Sequence, residues 1–295
     1  MKLALGPVQY YWQKDRLLAF YEAIAQSPVD IVYLGETVCS RRHEMREEDW
    51  LALAEKLTSA GKEVVLSTQV LLESGAHLNA MHRIVENSRF MVEANDMGAA
   101  GLLEGRGGFV AGPHLNLYNP EALQIVAELG AVRWVMPFEM SHDSLCGMLP
   151  RLPENMQSEV FVYGHLPLAY SARCFTARYH NLQKDDCGFR CLEYPDGLPV
   201  QTREGQPFLL FNGIQTQSVK VYNLIQQIPQ LMALGVDVVR VSPQSEHTAE
   251  IISCFKDVIE KRVSPVDGLA TVQRLMNGES CNGYWYGRPG MDWQP

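Results

Sequence analysis

The sequence lacks the features that would place the protein in a membrane or on nucleic acid. No apolar run approaches the ~20 residues of a membrane-spanning helix, and Lys and Arg form no basic cluster of the kind that nucleic-acid binders carry. The apolar stretch at the N-terminus breaks at Gly6-Pro7, which is too early for a signal-peptide core. With a formal net charge of −9, these absences predict a cytoplasmic protein with no membrane span and no nucleic-acid partner.

Several catalytic motifs are missing as well. No Gly-rich phosphate loop follows the first apolar run, so a dinucleotide-binding fold has little support. The chain also contains no H-E-x-x-H pair, no Walker loop and no serine in a nucleophile elbow. A peptidase and a non-catalytic scaffold remain as alternative functions, but the sequence offers no hydrolytic machinery for the first of them.

Seven cysteines are present, an odd number in a long chain without a secretory signal. That count fits a reducing compartment and metal or redox chemistry better than a disulfide framework. Cys187 and Cys191 flank three residues in a polar stretch, and Cys174 lies shortly before them. Cys39 could add a fourth thiolate from a distant loop. Four thiolates suit either a structural zinc or a cubane iron–sulfur cluster, and the spacing does not decide between them.

Short apolar runs alternate with amphipathic segments along the chain. Runs beginning near residues 2, 30, 63, 98, 109, 133, 159 and 237 predict about eight strands buried on both faces of a parallel sheet. Helices are predicted over 14–26, 47–60, 77–95, 120–129, 141–151, 220–234 and 246–262. This alternation predicts an α/β fold, a (β/α)8 TIM-like barrel of regular or distorted shape, with an open doubly wound sheet as the second choice.

The stretch 165–215 interrupts this alternation with Gly, Pro, charges and three of the cysteines. We interpret it as a cluster-binding insertion after strand seven, within a single barrel-like domain over 1–295. Loops that follow barrel strands share one face, so Cys39, Cys174, Cys187 and Cys191 would start from the same face. The remaining three differ, because Cys146 and Cys254 fall in helices and Cys281 stands alone near the end of the sequence.

Other polar residues are expected at the barrel mouth. Glu36 and Glu139 follow strands two and six, whereas His142 and His165 follow strands six and seven. Each is a candidate acid, base or ligand-orienting group, although lone residues of these types are more often structural. Five arginines lie near the predicted thiolate site and would stabilise an anionic cluster or bind a carboxylate. They are Arg41, Arg42, Arg173, Arg178 and Arg190.

One segment carries a family resemblance. The residues Glu159-Val-Phe-Val-Tyr-Gly164, followed by Tyr170-Ser171 and Cys174, resemble the signature of the collagenase-like peptidase family, whose members have a barrel-like domain and cysteines after this motif. The resemblance covers nearly the whole chain. One departure is that Gly164 is followed by His165-Leu166-Pro167, so a cysteine usual in peptidase-named relatives is absent.

Within that family, four short segments of this chain resemble the iron–sulfur proteins of oxygen-independent ubiquinone biosynthesis. They are Asn95-Asp96, Phe109–Pro113, Leu115-Asn116 and Arg133–Pro137. This resemblance implies a 4Fe–4S cluster held by Cys39, Cys174, Cys187 and Cys191. It implies hydroxylation of a prenylated phenol under anaerobic conditions, with prephenate as the oxygen donor. It also implies a heterodimer with a related family member and cooperation with a lipid-carrier protein that presents the substrate.

Overall fold

Twelve strands run through the part of the chain that the computed structural model describes, residues 1–87 and 89–295. They are β1 (Lys2–Leu5), β2 (Ile31–Leu34), β3 (Glu63–Ser67), β4 (Met91–Ala94), β5 (Phe109–Ala111), β6 (Ala131–Val135), β7 (Gln157–Tyr170), β8 (Leu198–Gln201), β9 (Pro207–Asn212), β10 (Gln215–Asn223), β11 (Val238–Val241) and β12 (Ser280–Cys281). β1 to β7 pair in parallel in chain order, and β11 pairs in parallel with both β7 and β1. These eight strands close into a barrel, so the predicted (β/α)8 TIM-like fold is confirmed.

Helices connect the barrel strands and cover their outer face. They are α1 (Lys14–Gln26), α2 (Glu47–Ser59), α3 (Gly75–Glu86), α4 (Met97–Leu102), α5 (Pro120–Glu128), α6 (His142–Met148), α7 (Phe175–Tyr179), α8 (Ile228–Ala233), α9 (Thr248–Ile259) and α10 (Pro265–Leu275). Single 3₁₀ turns occupy Pro113–Leu115, Leu149–Arg151, Lys184–Asp186, Arg190–Glu193, Ile225–Gln227 and Gly283–Tyr286. Within the described ranges, none of these helices has the length and apolar character needed to cross a bilayer.

The local capping signals explain several of these boundaries. Asn119 Oδ1 accepts a hydrogen bond from the backbone N–H of Ala122 at 2.8 Å, and Pro120 occupies the first helical position of α5. The helices predicted over 14–26 and 47–60 are also confirmed, as α1 and α2. α10 was not predicted, although Ser264 and Pro265 carry the same signal at its start.

Two stretches differ from the sequence prediction. The helix predicted over 77–95 ends at Glu86, because the Asn87 side chain accepts hydrogen bonds from the N–H groups of Arg89 and Phe90 and turns the chain into β4. The strand predicted near 98 therefore begins at Met91 instead, and α4 occupies 97–102. The helix predicted over 220–234 is wrong in its first half, because 220–223 belongs to β10 and 225–227 forms a 3₁₀ turn, and only 228–233 is α-helical.

The core has an outer and an inner layer. Residues such as Leu3, Val32 and Leu34 join the large cluster between barrel and helices, whereas alternate residues of the same strands form a separate small cluster. That inner cluster is Ala4, Ile31, Tyr33, Val65, Val110, Val135 and Val238. It fills the barrel interior, as expected for a packed barrel rather than a pore.

An antiparallel extension follows the seventh strand. β7 is 14 residues long and runs through position 165, so that its far half pairs with β10 rather than with barrel strands alone. β10 pairs with β9, and β9 pairs with β8. Between β7 and β8, residues 171–197 form α7 and two 3₁₀ turns that carry three of the cysteines. The predicted cysteine-bearing insertion after strand seven is therefore present.

Candidate functional site

The four cysteines of interest occupy loops and turns near the antiparallel extension. Cys39 lies in the loop after β2, and Cys174 is the N-cap of α7, where its Sγ accepts a hydrogen bond from the Ala177 N–H at 3.3 Å. Cys187 ends the 3₁₀ turn at 184–186, and Cys191 lies in the next 3₁₀ turn. None of the four is disulfide-bonded, and Cys39 is the most deeply buried.

The turn between β9 and β10 brings Cys39 and Cys174 together. Gly213 adopts a φ of +63°, which glycine tolerates best. Its carbonyl accepts a hydrogen bond from Phe175 N–H at 2.7 Å, and its own N–H donates to Thr176 Oγ1 at 3.0 Å. A Cβ placed on Gly213 would lie 3.9 Å from Cys39 Cβ. This one turn therefore touches the loop of the first cysteine and holds the helix start that carries the second.

A second link reaches the turn before Cys187. Arg41 Nη2 donates to the Asp185 carbonyl at 2.7 Å, and its Nη1 forms a 3.2 Å ion pair with the Asp185 carboxylate. The Tyr11 ring also packs against Phe189, with 5.7 Å between centroids. The segment that carries the last two cysteines is thus held against the loop that carries Cys39.

The thiol pKa values show that these cysteines influence one another. Burial raises the pKa of Cys39, and negative charge on Cys174 raises it further, while Arg42 opposes both effects. Burial likewise raises the pKa of Cys174, with an added contribution from charge on Cys187. Burial raises the pKa of Cys191 to about 11, against the nearby guanidinium of Arg42. The thiols of Cys39, Cys174 and Cys191 are therefore protonated at neutral pH, and a metal ion would have to displace their protons.

Arg42 is the buried cation of this region. Its Nη1 donates to the Gln9 carbonyl at 2.6 Å, and its Nη2 donates to Asn212 Oδ1 at 2.7 Å. Glu36 lies 3.5 Å away as its ion-pair partner. Arg42 Nε is buried and has no hydrogen-bond partner within the described ranges. A buried cation with a spare donor beside a group of thiols suits an anionic thiolate centre, whether that centre is a 4Fe–4S cluster or a zinc ion.

The thiols do not stand in a finished coordination sphere. Across residues 1–87 and 89–295, no group of three or more His, Cys, Asp or Glu side chains has the arrangement of a metal site. The metal centre at Cys39, Cys174, Cys187 and Cys191 therefore stays a prediction. Coordination would require the cysteine side chains to turn toward a common centre.

The carboxylates expected at the barrel mouth have different environments. Glu36 Oε1 accepts hydrogen bonds from the N–H groups of Val38 and Cys39, which shapes the loop of the first cysteine. Burial raises the pKa of Glu36 although Arg42 opposes it. Glu139 is exposed and accepts a 2.6 Å hydrogen bond from the Tyr118 hydroxyl. Only Glu36 belongs to the cysteine region.

Neither candidate histidine lies among the cysteines. His165 is buried and bonds to the Ser218 carbonyl at 2.9 Å, and burial lowers its pKa. His142 contacts Asp143 and Gln230, and its Nε2 lies 3.4 Å from the Sγ of Cys146, which is not one of the four predicted ligands. Among the remaining arginines, Arg173 and Arg178 are exposed, and Arg190 pairs with Glu193 at 2.6 Å. The guanidiniums of Arg173 and Arg178 are thus exposed to an external anion, whereas that of Arg190 is already paired.

A Ser–His pair also exists but lacks the polarity of a hydrolase. Ser40 Oγ lies 2.5 Å from His77 Nε2. His77 Nδ1 accepts a hydrogen bond from the Glu73 backbone N–H at 3.1 Å. The neutral imidazole therefore carries its proton on Nε2 and donates it to Ser40, so His77 cannot act as the base that activates this serine.

A buried ionic network inside the barrel was not predicted from the sequence. Arg240 bonds through Nε to Glu159 at 2.5 Å and through Nη1 to Glu93 at 2.7 Å. Its guanidinium also lies 3.8 Å from the centre of the Tyr33 ring. The sequence positions of Glu93 and Arg240 indicate such a network, because both residues occur within apolar strand segments, where an ionised side chain needs a partner.

A path of hydrogen bonds leads from Arg42 to the barrel mouth. Asn212 donates to Gln215 Oε1 at 2.9 Å, and Gln215 donates to the Tyr170 hydroxyl at 2.6 Å. Tyr170 lies 3.4 Å from His114 Nε2. Burial lowers the pKa of His114 to about 4, so its ring is neutral near pH 7. Tyr170 thus stands between the cysteine region, which its ring contacts, and the barrel mouth.

Comparisons with known proteins identify the family. The curated tRNA hydroxylation protein P1 of Bacillus subtilis is 24% identical over 200 residues, covering 61% of this chain and 45% of that protein, so the chain spans less than half of that relative's length. A U32 peptidase structure is similar at 10% identity and a TM-score of 0.48, covering 83% of this chain and 93% of its own. Dihydropteroate synthase of Burkholderia cenocepacia is similar at 11% identity and a TM-score of 0.45, with 93% of each chain covered. A family model described as Peptidase family U32 matches residues 16–295, and the chain belongs to this family.

Proposed function

We propose that this chain is an iron–sulfur subunit of the UbiV type, which acts with UbiU in the oxygen-independent ring hydroxylation of a prenylated phenol on the way to ubiquinone. The observation that carries the proposal is the packing of Cys174 against the small cluster that contains Cys39, beside the buried Arg42, whose charge also acts on Cys191. Cys39 is 135 residues before Cys174 in the sequence, and apolar packing alone does not require a cation there. Thiolate ligation of an anionic cluster accounts for both features.

Each ligand in this proposal has a structural support. Cys39, Cys174, Cys187 and Cys191 would hold the cluster, and a bound 4Fe–4S cluster supplies one-electron transfer. The Gly213 turn fixes the first two positions, and the Arg41–Asp185 contact fixes the segment of the last two. Arg42 compensates the negative charge. The Ala177 N–H, which already faces Cys174 Sγ, is a donor to the thiolate form.

One relative supports hydroxylation chemistry, because hydroxylation is part of that protein's name. That protein acts on tRNA according to its name, and this chain matches less than half of it. A net charge of −9 favours a small-molecule substrate over a polyanion for the present chain. A heterodimer with UbiU, a lipid-carrier protein and prephenate as oxygen donor belong to the same proposal. Arg173, exposed next to Cys174, is the candidate contact for a dicarboxylate donor.

The test is metal analysis after strictly anaerobic purification, together with the visible spectrum. We expect about four irons and four sulfides per chain, lost in Cys39→Ala and Cys174→Ala. Cys146→Ala and Cys254→Ala serve as matched controls and should retain the cluster, because neither thiol lies in the cysteine region. Zinc, or no metal, would remove the basis of the hydroxylase proposal.

A second assay separates the remaining functions. With the cluster present, the complex with UbiU should hydroxylate a prenylated phenol in the presence of prephenate. Arg173→Glu should abolish this reaction while leaving the iron content unchanged. If the complex stays active after the redox activity of the cluster-loaded chain has been removed, the chain is instead a scaffold. Peptide cleavage that survives loss of all four cysteines would indicate a peptidase.

A further inference from the structure

A large cavity lies between α2 and α3, beside the cysteine region. Its volume is about 690 Å³, which falls within the range of about 300–1,000 Å³ typical of pockets that hold drug-sized ligands. Most of its wall is apolar, and the ends of β2 and β3 form its floor. The principal apolar lining residues are Leu34, Met45, Trp50, Leu66, Met81 and Ile84. Nothing in the thiolate chemistry described above uses this space.

The inner end of the cavity is polar and is shared with the Cys39 loop. Glu36, Ser40 and Arg42 all line it, and Ser40 is the residue directly after Cys39. Arg42 carries a positive charge that Glu36 offsets at 3.5 Å. A ligand that enters here therefore meets a region with no net excess of charge, which favours an uncharged head group over an anion.

Hydrogen-bond accounting at the inner end indicates a hydroxyl group. Ser40 Oγ accepts the proton of His77 Nε2, so the Ser40 hydroxyl hydrogen is available to donate. Gln69 also belongs to the lining, and its buried Oε1 has no hydrogen-bond partner in the described ranges, so a rotation of the side-chain amide toward the cavity would give it one in a ligand hydroxyl. A phenolic hydroxyl both accepts and donates one hydrogen bond and would satisfy these two groups together.

Only a weak surface ion pair closes the outer rim of the cavity. Glu47 on α2 and Arg83 on α3 form a 2.7 Å ion pair across the opening, and both side chains are about half exposed. Such surface pairs contribute only about 0–1 kcal/mol. Opening the rim therefore costs little, and an apolar substituent longer than the cavity could pass between the two helices.

We propose that this cavity binds the prenylated phenol, with the phenolic hydroxyl at Ser40 and Gln69 and the isoprenoid substituent along the apolar walls of α2 and α3. The inference rests on the proposed function and assigns a substrate site to it. It places the aromatic head against the Cys39 loop. It explains why a soluble carrier could hand over its ligand, since the head and the first part of the tail have an apolar compartment of their own.

The test is equilibrium binding of 2-geranylphenol, a short and manageable prenylphenol, followed by the fluorescence of Trp50. The chain has five tryptophans, so the signal is assigned by its loss in Trp50→Phe. Phenol and geraniol are measured in parallel. We expect 2-geranylphenol to bind at least about tenfold more tightly than either, because only it satisfies both ends of the cavity.

One matched pair of variants and two further variants localise the binding. Ala80→Phe fills the cavity from α3 and should weaken binding by about tenfold or more, whereas Ala52→Phe places the same ring on the exposed face of α2 and should leave binding unchanged. Ala76→Phe is a second cavity-filling change in case the first disturbs the fold, which circular dichroism would reveal. Gln69→Leu should reduce the preference for 2-geranylphenol over geraniol.

Equal binding by wild type and both cavity-filling variants would overturn the proposal. Equal affinity for 2-geranylphenol and geraniol would overturn the assignment of a phenol. Iron and sulfide are measured on the same preparations, so the two proposals fail separately. A cluster-loaded protein that does not bind the phenol contradicts only the substrate site, whereas a metal-free protein contradicts the proposed function.

Discussion

Arg42 Nη2 donates a hydrogen bond to Asn212 Oδ1 at 2.7 Å, although the two residues are 170 positions apart. The same guanidinium reaches the Gln9 carbonyl after β1. Through these bonds a single buried side chain joins the first barrel strand, the loop of Cys39 and the turn that positions Cys174. Arg42 therefore organises the cysteine region.

Replacing Arg42 by Met should destabilise the protein by about 3 kcal/mol, because Glu36 would keep a buried charge without its partner. Arg42→Lys should recover only part of the loss, since an ammonium lacks the planar fork that reaches Gln9 and Asn212 together. Urea unfolding measures both. Arg190→Met, which removes an exposed guanidinium paired with Glu193, is the control and should cost less than about 1 kcal/mol. Equal effects at positions 42 and 190 would contradict the organising role.

The Gly213 turn allows a sharper test, because Gly205 offers a matched control. Both glycines have positive φ, +63° and +79°. A Cβ at Gly213 would lie 3.0 Å from Arg42 Nη2, whereas a Cβ at Gly205 meets no atom within 4 Å. Gly205→Ala should therefore cost about 1 kcal/mol from backbone strain alone. Gly213→Ala should cost about 3 kcal/mol, since the close approach adds to that strain.

Iron content is an independent measurement on the same two variants, Gly213→Ala and Gly205→Ala. Gly213→Ala displaces Arg42 and the start of α7, so anaerobic reconstitution should load less iron than in wild type. Gly205→Ala lies away from the cysteine region and should load normally. If the two variants are equally stable and load iron equally, the turn does not position the cysteines.

Much of the barrel follows from local patterns in the sequence. β2 is a continuous apolar run followed by a polar turn, which is typical of a strand buried on both faces, and β11 has the same pattern apart from Arg240. β4 was missed because the helix predicted over 77–95 covered it, and its Glu93 is buried because Arg240 on β11 lies 2.7 Å from it. No local pattern reveals a partner 147 residues away. Tertiary pairing here overrides the expectation that a charged residue marks a surface.

The candidate site is predicted from residue types and spacing, whereas the contacts that surround it are not visible in the sequence. The polar stretch around Cys187 and Cys191 and the loop position of Cys39 indicated thiolate chemistry from spacing alone. The Gly213 turn and the α2–α3 cavity arise from contacts between distant segments, so composition and periodicity are silent about them. The prediction of four ligands thus rests on the chemistry of cysteine. The contacts that hold the four cysteine segments in place come from packing between distant parts of the chain.

The ionic network inside the barrel predicts a strong effect of Arg240. Arg240→Met would leave Glu93 and Glu159 buried without their shared cation, and we expect a loss of about 3–5 kcal/mol. The double variant Arg240→Met/Glu93→Gln should be less destabilised than Arg240→Met alone, because one of the two uncompensated charges is removed. Urea unfolding of the two variants measures the difference. An additive or larger loss in the double variant would show that the carboxylate of Glu93 does not depend on Arg240.

His114 should make the stability of the protein depend on pH below neutrality. Burial lowers its pKa from 6.5 to about 4, and the positive charge of Arg240 adds to this effect while Glu93 opposes it. The unfolded chain binds a proton near pH 6.5 that the folded chain refuses until about pH 4, so stability falls as the pH drops through this window. Tyr170, the other titratable group facing the ring, stays protonated there because burial raises its pKa.

The His114→Gln variant isolates this contribution, since its amide oxygen can still accept the Tyr170 hydroxyl. Unfolding free energies measured from pH 7.5 to 4.5 should decline more steeply for wild type than for the variant. His82→Gln, at an exposed position on α3, should keep the steep wild-type decline. Parallel curves for wild type and His114→Gln would mean that His114 protonates in the folded barrel as readily as in the unfolded chain, and that the barrel mouth is open enough to hydrate its imidazolium.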